Sequence, residues 1–394
     1  GTHKSAIEPY TRTGFSPEAK TQQQRLTRQL WDAYLDRLTA LSGVTRSTFE
    51  GWANDRGILR PADVERSGFA QTLAYADFLD KMREKAGLHE QVPETFSQIA
   101  LRRYIAAEKQ SAPDRENGKI GEVAVVFIEG IIANEDGNAL TDGERIARQI
   151  REVRKSGDHA AIILRVNSPG GAVYPSRIIA EEMEKTAAAM PVFVSMGQYA
   201  ASGGYWVSAP GDAIHANPLT VTGSIGVFAL IPNVGEAARK LGLHFERSQS
   251  SDMANLFSAS EAKSPKQMQA IQEMVSNTYG DFMDLVAAHR ELDRNAVGEA
   301  AEGQVWTGGE ALALGLVDDA DGFLALREKL RERLGVDHLR LDFKSHEAMP
   351  LTTTAFSWLQ SRLPFTGLGE RGEVLAELLR YRGPLSLSPV TLSF

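Results

Sequence analysis

The sequence predicts an α/β protein in which a parallel sheet with flanking helices is preceded by a purely helical segment. Three observations carry this. From Val123 onward, short runs of apolar and β-branched residues alternate with stretches of helical period, as strands joined by right-handed crossovers do. Ahead of residue 107 the apolar spacing is helical throughout. The first long helix also recurs, in altered form, 248 residues further on.

In chain order, Ser16-Pro17 supplies an N-cap and a first-turn proline, and Leu26, Leu30, Tyr34, Leu38 and Leu41 follow at three- or four-residue spacing. Residues 16–41 therefore read as an amphipathic helix. Residues 52–92 read as short helices ending near Gly87. The polar stretch EKQSAPDRENGKIG at 108–121 reads as a linker. Beyond it, strands are expected at 123–128, 160–166, 192–196, 213–216 and 226–230, with helices at 142–155, 174–189 and 200–209. Residues 244–247 are a further candidate strand, and 264–289 a long helix. Residues 336–394 form a C-terminal extension with a short helix expected at 371–382 and an apolar end, PLSLSPVTLSF.

The repeat organises the chain. One helix opens FSPEAKTQQQRL and the other KSPKQMQAIQEM, and both carry aromatics towards their ends, in WDAYLDRLTA and YGDFMDLVAA. Residues 1–107 are thus expected to be the C-terminal part of a first unit whose full copy occupies 122–335. Two unrelated helices that both begin Ser-Pro are the plainer alternative. The opening Gly1, in place of a Met, is read as the mark of a fragment or a processed product.

Composition narrows the function. A net charge of -8 argues against a nucleic-acid surface, which needs a basic face. The chain has no cysteine, which removes disulfides, thiolate metal ligands and a cysteine nucleophile together. No run reaches the ~18 apolar residues of a membrane span. No phosphate loop, dinucleotide fingerprint or metal-ligand spacing is present, so no cofactor is expected.

Two loops could carry chemistry. The strand at 160–166 runs into Asn167-Ser168-Pro169-Gly170-Gly171 and directly into a helix, leaving backbone N–H groups open to an anion or carbonyl. The next strand leads into MGQYAASGGYW, where Ser202 stands at the start of a short helix among alanines and glycines. Small neighbours let a substrate backbone reach the hydroxyl, and the helix N-terminus favours developing negative charge. Each loop alone could be an ordinary turn or packing contact. Side by side at the carboxyl ends of neighbouring parallel strands, they form a candidate site.

On these residues the chain resembles the crotonase-like serine peptidases. It is most similar to the signal peptide peptidase A family in its long, duplicated bacterial form, and more distantly to the proteolytic subunit of Clp protease. NSPGG, MGQYAASGGYW, ANPLTVTGSIGVF, QVWTGGEALALGLVD and the opening GTHKSAIEP match the family pattern in order. The resemblance implies a crotonase/Clp-like sheet repeat and a serine endopeptidase. It also implies Ser202 as nucleophile, Gly203 and Gly171 as oxyanion-hole N–H donors, and Ser224 holding a lysine amine. Implied, too, are cleaved signal peptides as substrates, a homotetramer, and a place on the periplasmic side of the bacterial inner membrane. The membrane would be reached through a segment absent from this chain.

A serine needs a base. His215, in AIHANP, is the one histidine in the core next to the serine loop, and a structural strand histidine is its plainer reading. The family's G-x-x-K-S-A motif stands here as Gly1-Thr2-His3-Lys4-Ser5-Ala6, so Lys4 maps onto the family's general base. The repeat offers a check. The 248-residue offset sets Lys4 opposite Asp252, and no lysine lies between Lys240 and Lys263. The serine-bearing copy lacks a base and must borrow one. Buried, a lysine amine can be neutral, each unit of lowered pKa costing about 1.4 kcal/mol. Two rival readings share the fold: an acyl-thioester enzyme using the same glycine N–H groups, and a catalytically inactive membrane-assembly scaffold.

Overall fold

A computed structural model describes residues 2–88, 95–111, 118–135, 140–246, 248–344 and 385–387. Eleven strands occur among them: β1 (Ile120–Glu129), β2 (Ile131–Ala133), β3 (Leu140–Asp142), β4 (Ala161–Ser168), β5 (Gly170–Ala172), β6 (Val192–Ala201), β7 (Ala213–His215), β8 (Val221–Gly223), β9 (Val305–Thr307), β10 (His338–Lys344) and β11 (Leu385–Leu387). The larger sheet runs β10-β1-β4-β6-β8-β9, with β7 also on β6. All its pairings are parallel except β8 with β9. A second sheet runs β11-β5-β2-β3.

The continuous apolar runs of β1 and β4 follow from burial on both faces. Ala124, Val126, Ile128, Ile162, Leu164 and Val166 pack on one face, with Ile146 and Ile150 of helix Gly143–Ser156 and Ile179 and Met183 of helix Val173–Ala187. Val123, Val125, Ala161 and Ile163 face the other way, against Leu326 and Leu330 of helix Gly322–Leu334. Each fully buried Ile or Leu contributes about 1.5–3 kcal/mol. Helix Pro265–Arg290 begins with a reciprocal cap between Ser264 and Gln267. The earlier helix, Pro17–Ser42, is likewise 26 residues long, and the Ser16 hydroxyl accepts the Ala19 N–H at 3.1 Å.

Three expectations need correction. Residues 226–230 form no strand; the place beside the end of β6 belongs to β8, whose Val221 lies opposite Tyr199. Residues 244–246 are not a strand either. Strand β6 continues to Ala201, so the short helix starts at Gly203, not at 200. The helix expected at 371–382 lies outside the described residues, as do residues 112–117 of the linker. Within that stretch, residues 108–111 end helix Leu101–Ser111 and residues 120–121 begin β1.

The chain divides into two compact units, Gly1–Leu26 with Lys119–Phe394, and Thr27–Gly118. The first 26 residues therefore pack with the sheet, whereas a boundary read from sequence falls at 107. The second unit is helical, with Leu35, Val44 and Phe49 at its centre and Phe49, Trp52 and Phe69 meeting edge to face. No helix among the described residues is long and apolar enough to cross a membrane.

Candidate active site

Strand β6 delivers Ser202 into a single-residue turn. Ser202 has φ 56° and ψ −116°, and helix Gly203–Ser208 starts at the next residue. A non-glycine residue held there costs about 1–3 kcal/mol and persists only where its surroundings fix it. Here the Ser202 N–H donates to the Gly223 carbonyl (2.8 Å), and its own carbonyl accepts from the Trp206 N–H (2.8 Å). Such a strained strand-to-helix turn is a known way of presenting a serine hydroxyl. Ser202 is fully buried.

The small residues after it are required by the neighbouring loop. A Cβ on Gly204 would lie 2.7 Å from the Ser168 carbonyl oxygen, and one on Gly203 would lie 3.0 Å from the Gly171 nitrogen. A Cβ on Gly171 would lie 1.9 Å from the Ile132 carbonyl oxygen. The turn into β5 is made by Gly170 at φ 110°. Asn167 ties the two loops together, its Oδ1 accepting the N–H groups of Gln198 (3.1 Å) and Tyr199 (3.2 Å). Gly203, at the first position of its helix, has an N–H with no partner within the helix. The NSPGG backbone and the N-terminus of the serine helix thus meet beside Ser202.

Lys4 enters from the chain terminus. Its side chain is 7% exposed, and Nζ lies 2.6 Å from Ser202 Oγ, 2.9 Å from the Ser224 carbonyl oxygen and 3.0 Å from Ser224 Oγ. Burial drives its pKa well below the ordinary lysine value. A neutral amine has two N–H groups and one lone pair. With the two hydrogens given to the Ser224 oxygens, the lone pair is left for the Ser202 hydroxyl.

Sequence reasoning missed what holds Lys4 there. The turn Ala301–Gln304 accepts the His3 N–H on the Glu302 carbonyl (2.9 Å) and the Ser224 N–H on the Gln304 carbonyl (2.6 Å), while Gly303 donates to the Ile225 carbonyl (2.8 Å). Gly303, at φ 78°, passes so close that a Cβ would lie 2.7 Å from Lys4 Cβ. The only sequence signal was a glycine in AEGQVW. Ser224 offers its carbonyl as well as its hydroxyl, and itself sits at φ 52°.

His215 is placed elsewhere. It pairs with Ser195 of β6, seven residues before Ser202, or roughly 20 Å along an extended strand. Its Nδ1 lies 2.8 Å from Asp321 Oδ1. With Asp319 and Asp321 it forms a group compact enough to share a cation, yet Lys329 already bridges both carboxylates.

Residues 184–337, which include Ser202, Gly203 and Ser224, match the description "Peptidase family S49". Putative signal peptide peptidase SppA of Enterococcus faecium is 32% identical over 250 residues, covering 61% of this chain and 71% of that protein. The chain belongs to peptidase family S49. Protease 4 of Salmonella typhi is 34% identical over 88% of this chain and 56% of its own length. Protease 4 of Haemophilus influenzae is also 34% identical, over 82% of this chain and 53% of that protein. This S49 chain spans about half the length of these two curated relatives. Among solved structures, a membrane-bound stomatin-specific protease is similar with a TM-score of 0.38 and 16% identity, over 58% of this chain and 99% of that one.

Proposed function

We propose that this S49 chain is a serine endopeptidase with a Ser202–Lys4 dyad. The observation that carries the reading is the 2.6 Å approach of a buried lysine amine to a serine hydroxyl held at a strained strand-to-helix turn. Neutral Lys4 takes the Ser202 proton as Oγ bonds to the scissile carbonyl carbon. The oxyanion is received by the N–H groups of Gly203 and Gly171. As the C–N bond breaks, the Lys4 ammonium returns its proton to the leaving amine. Water, deprotonated by Lys4, then cleaves the acyl ester and restores Ser202. The Ser224 oxygens orient the amine throughout.

The substrates proposed are signal peptides already cut from their proteins, and other apolar peptides, bound extended along a strand edge. Membrane association and assembly into a homotetramer belong to the same proposal. The exposed Val234, Leu241, Leu243 and Phe245, which follow the Ser224 loop, support an apolar contact surface. Fluorophosphonate labelling tests the dyad. The chain should label at Ser202 and hydrolyse apolar fluorogenic peptides, and Ser202→Ala should do neither while folding normally. Turnover above ~1% in Ser202→Ala would move the nucleophile elsewhere, since its loss normally costs several orders of magnitude. A parent chain that neither labels nor turns over would favour the scaffold reading.

A further inference from the structure

Two consecutive left-handed residues, Glu302 at φ 58° and Gly303 at φ 78°, make the turn against which Lys4 packs. Glycine takes this conformation freely, whereas a glutamate there is strained and must be fixed by its surroundings. Its side chain finds two partners. Glu302 Oε2 accepts the Thr2 N–H at 2.9 Å, and Oε1 accepts the Tyr279 hydroxyl at 3.2 Å. The Glu302 N–H donates back to the same phenol oxygen at 3.2 Å. The Glu302 carbonyl takes the His3 N–H at 2.9 Å. One residue therefore holds both peptide N–H groups that precede Lys4. Burial pushes the Tyr279 phenol above its usual pKa, which keeps it an O–H donor.

The nucleophile is held by the same turn of the same helix. Tyr279 belongs to helix Pro265–Arg290, and Phe282 follows it by three residues, on the same face. Phe282 is buried against Trp206, with ring centroids 4.4 Å apart. The Trp206 N–H in turn donates to the Ser202 carbonyl at 2.8 Å. One helical turn thus reaches the base through Tyr279 and the serine turn through Phe282.

We propose that Glu302 and Tyr279 are positioning residues for the Ser202–Lys4 dyad, a side-chain clamp that registers the Lys4 amine to the helix turn supporting the serine. The proposal rests on the endopeptidase reading and adds two residues that touch neither the substrate nor the reacting atoms. The clamp acts by placement and not by charge. The lowered pKa of Lys4 comes from burial, so the negative charge of Glu302 is dispensable, whereas its acceptor for the Thr2 N–H is not.

The test compares the full chain with Glu302→Ala, Glu302→Gln and Tyr279→Phe. Glu302→Ala should lose about 10–100-fold in kcat and in the rate of fluorophosphonate labelling, with KM within about twofold, because a base freed by ~1 Å loses on the order of 100-fold in rate. Tyr279→Phe removes one oxygen and leaves the ring in place, so it should lose about 3–10-fold in kcat by the same route. Glu302→Gln still offers an oxygen to the Thr2 N–H. It should stay within about threefold of the parent, with the apparent pKa of the rate unchanged. A merely structural role would lower Tm without separating kcat from KM or alanine from glutamine. If Ser202 labels normally and kcat stays within about twofold of the parent in both Glu302→Ala and Tyr279→Phe, the inference is overturned and the endopeptidase reading stands. Glu302→Gln as impaired as Glu302→Ala, with a shifted pH profile, would overturn it too, making the carboxylate an electrostatic partner of the base. If the parent neither labels nor turns over, the endopeptidase reading fails. Amide exchange at His3 and Ser5 then decides the clamp, faster exchange in Glu302→Ala upholding it and equal exchange refuting it.

Discussion

Gly303→Ala tests how tightly the Lys4 amine must be held. The added Cβ would lie 2.7 Å from Lys4 Cβ, 2.7 Å from its nitrogen and 2.8 Å from its Cα. Ordinary carbon contacts begin near 3.5 Å, so Lys4 or the turn must retreat by about 0.7–1 Å. Nζ starts 2.6 Å from Ser202 Oγ, and a retreat of that size takes the pair to the limit of a hydrogen bond. Misplacing a reacting group by ~1 Å costs on the order of 100-fold in rate. Alanine at φ 78° adds about 1–2 kcal/mol of backbone strain, which must be separated from the displacement. Gly335→Ala is the control: Gly335 is also left-handed, at φ 59°, but a Cβ there meets nothing within 4 Å. Both variants should lose stability in urea, Gly303→Ala the more because its Cβ also overpacks against Lys4. Only Gly303→Ala should lose ~100-fold in kcat and in the rate of fluorophosphonate labelling. Activity within threefold of the parent in Gly303→Ala would refute the idea that this turn sets the position of Lys4.

Lys4→Met and Lys4→Arg should both silence peptide hydrolysis, the first for want of a base and the second because a guanidinium stays charged; the parent rate should rise with pH at an apparent pKa well below ~10.4. Stability runs in the same direction with pH. The folded pKa of Lys4 is depressed, so between it and the unfolded value of ~10.4 the unfolded chain binds more protons, and stability is lost as pH falls through that window. Urea melts should find Lys4→Met more stable than the parent at neutral pH, by about 1.4 kcal/mol per unit of depression, with the gap closing above pH ~10. Gly171→Ala should cost at least ~100-fold in kcat and lower Tm together, because a Cβ 1.9 Å from the Ile132 carbonyl oxygen forces β5 off β2; a rise in KM alone would make NSPGG a binding loop. His215→Ala should keep its kcat while losing about 1–3 kcal/mol in urea, as the buried ring leaves Asp321 without its partner; a dead, well-folded His215→Ala beside an active Lys4→Met would transfer the base to the histidine.

Local chemistry made much of this protein legible from its sequence. Helix ends were marked by residues that cap their own backbone, as Ser264 does with Gln267. The strands buried on both faces were written as unbroken apolar runs, and Ser202 and Gly171 stood out because small residues flank them at strand ends. A strand, however, exists only where another strand accepts its hydrogen bonds. Residues 226–230 carry an apolar strand-like pattern, yet Gly226 backs onto Gly303 and Lys4 and the vacant edge of β6 went to Val221–Gly223. The same limit hid the positive φ of Ser202, which is imposed by Gly223 from across the sheet, and the turn at Glu302–Gly303 that receives the chain terminus. The repeat and the family motif pointed to Lys4, but 198 residues separate it from Ser202. Burial of its amine is a property of the packed site and not of any stretch of chain. Whether that nitrogen can be neutral, and whether it reaches the hydroxyl, was decided only when the first residues folded against the sheet, because desolvation and distance arise from neighbours that the linear order keeps apart.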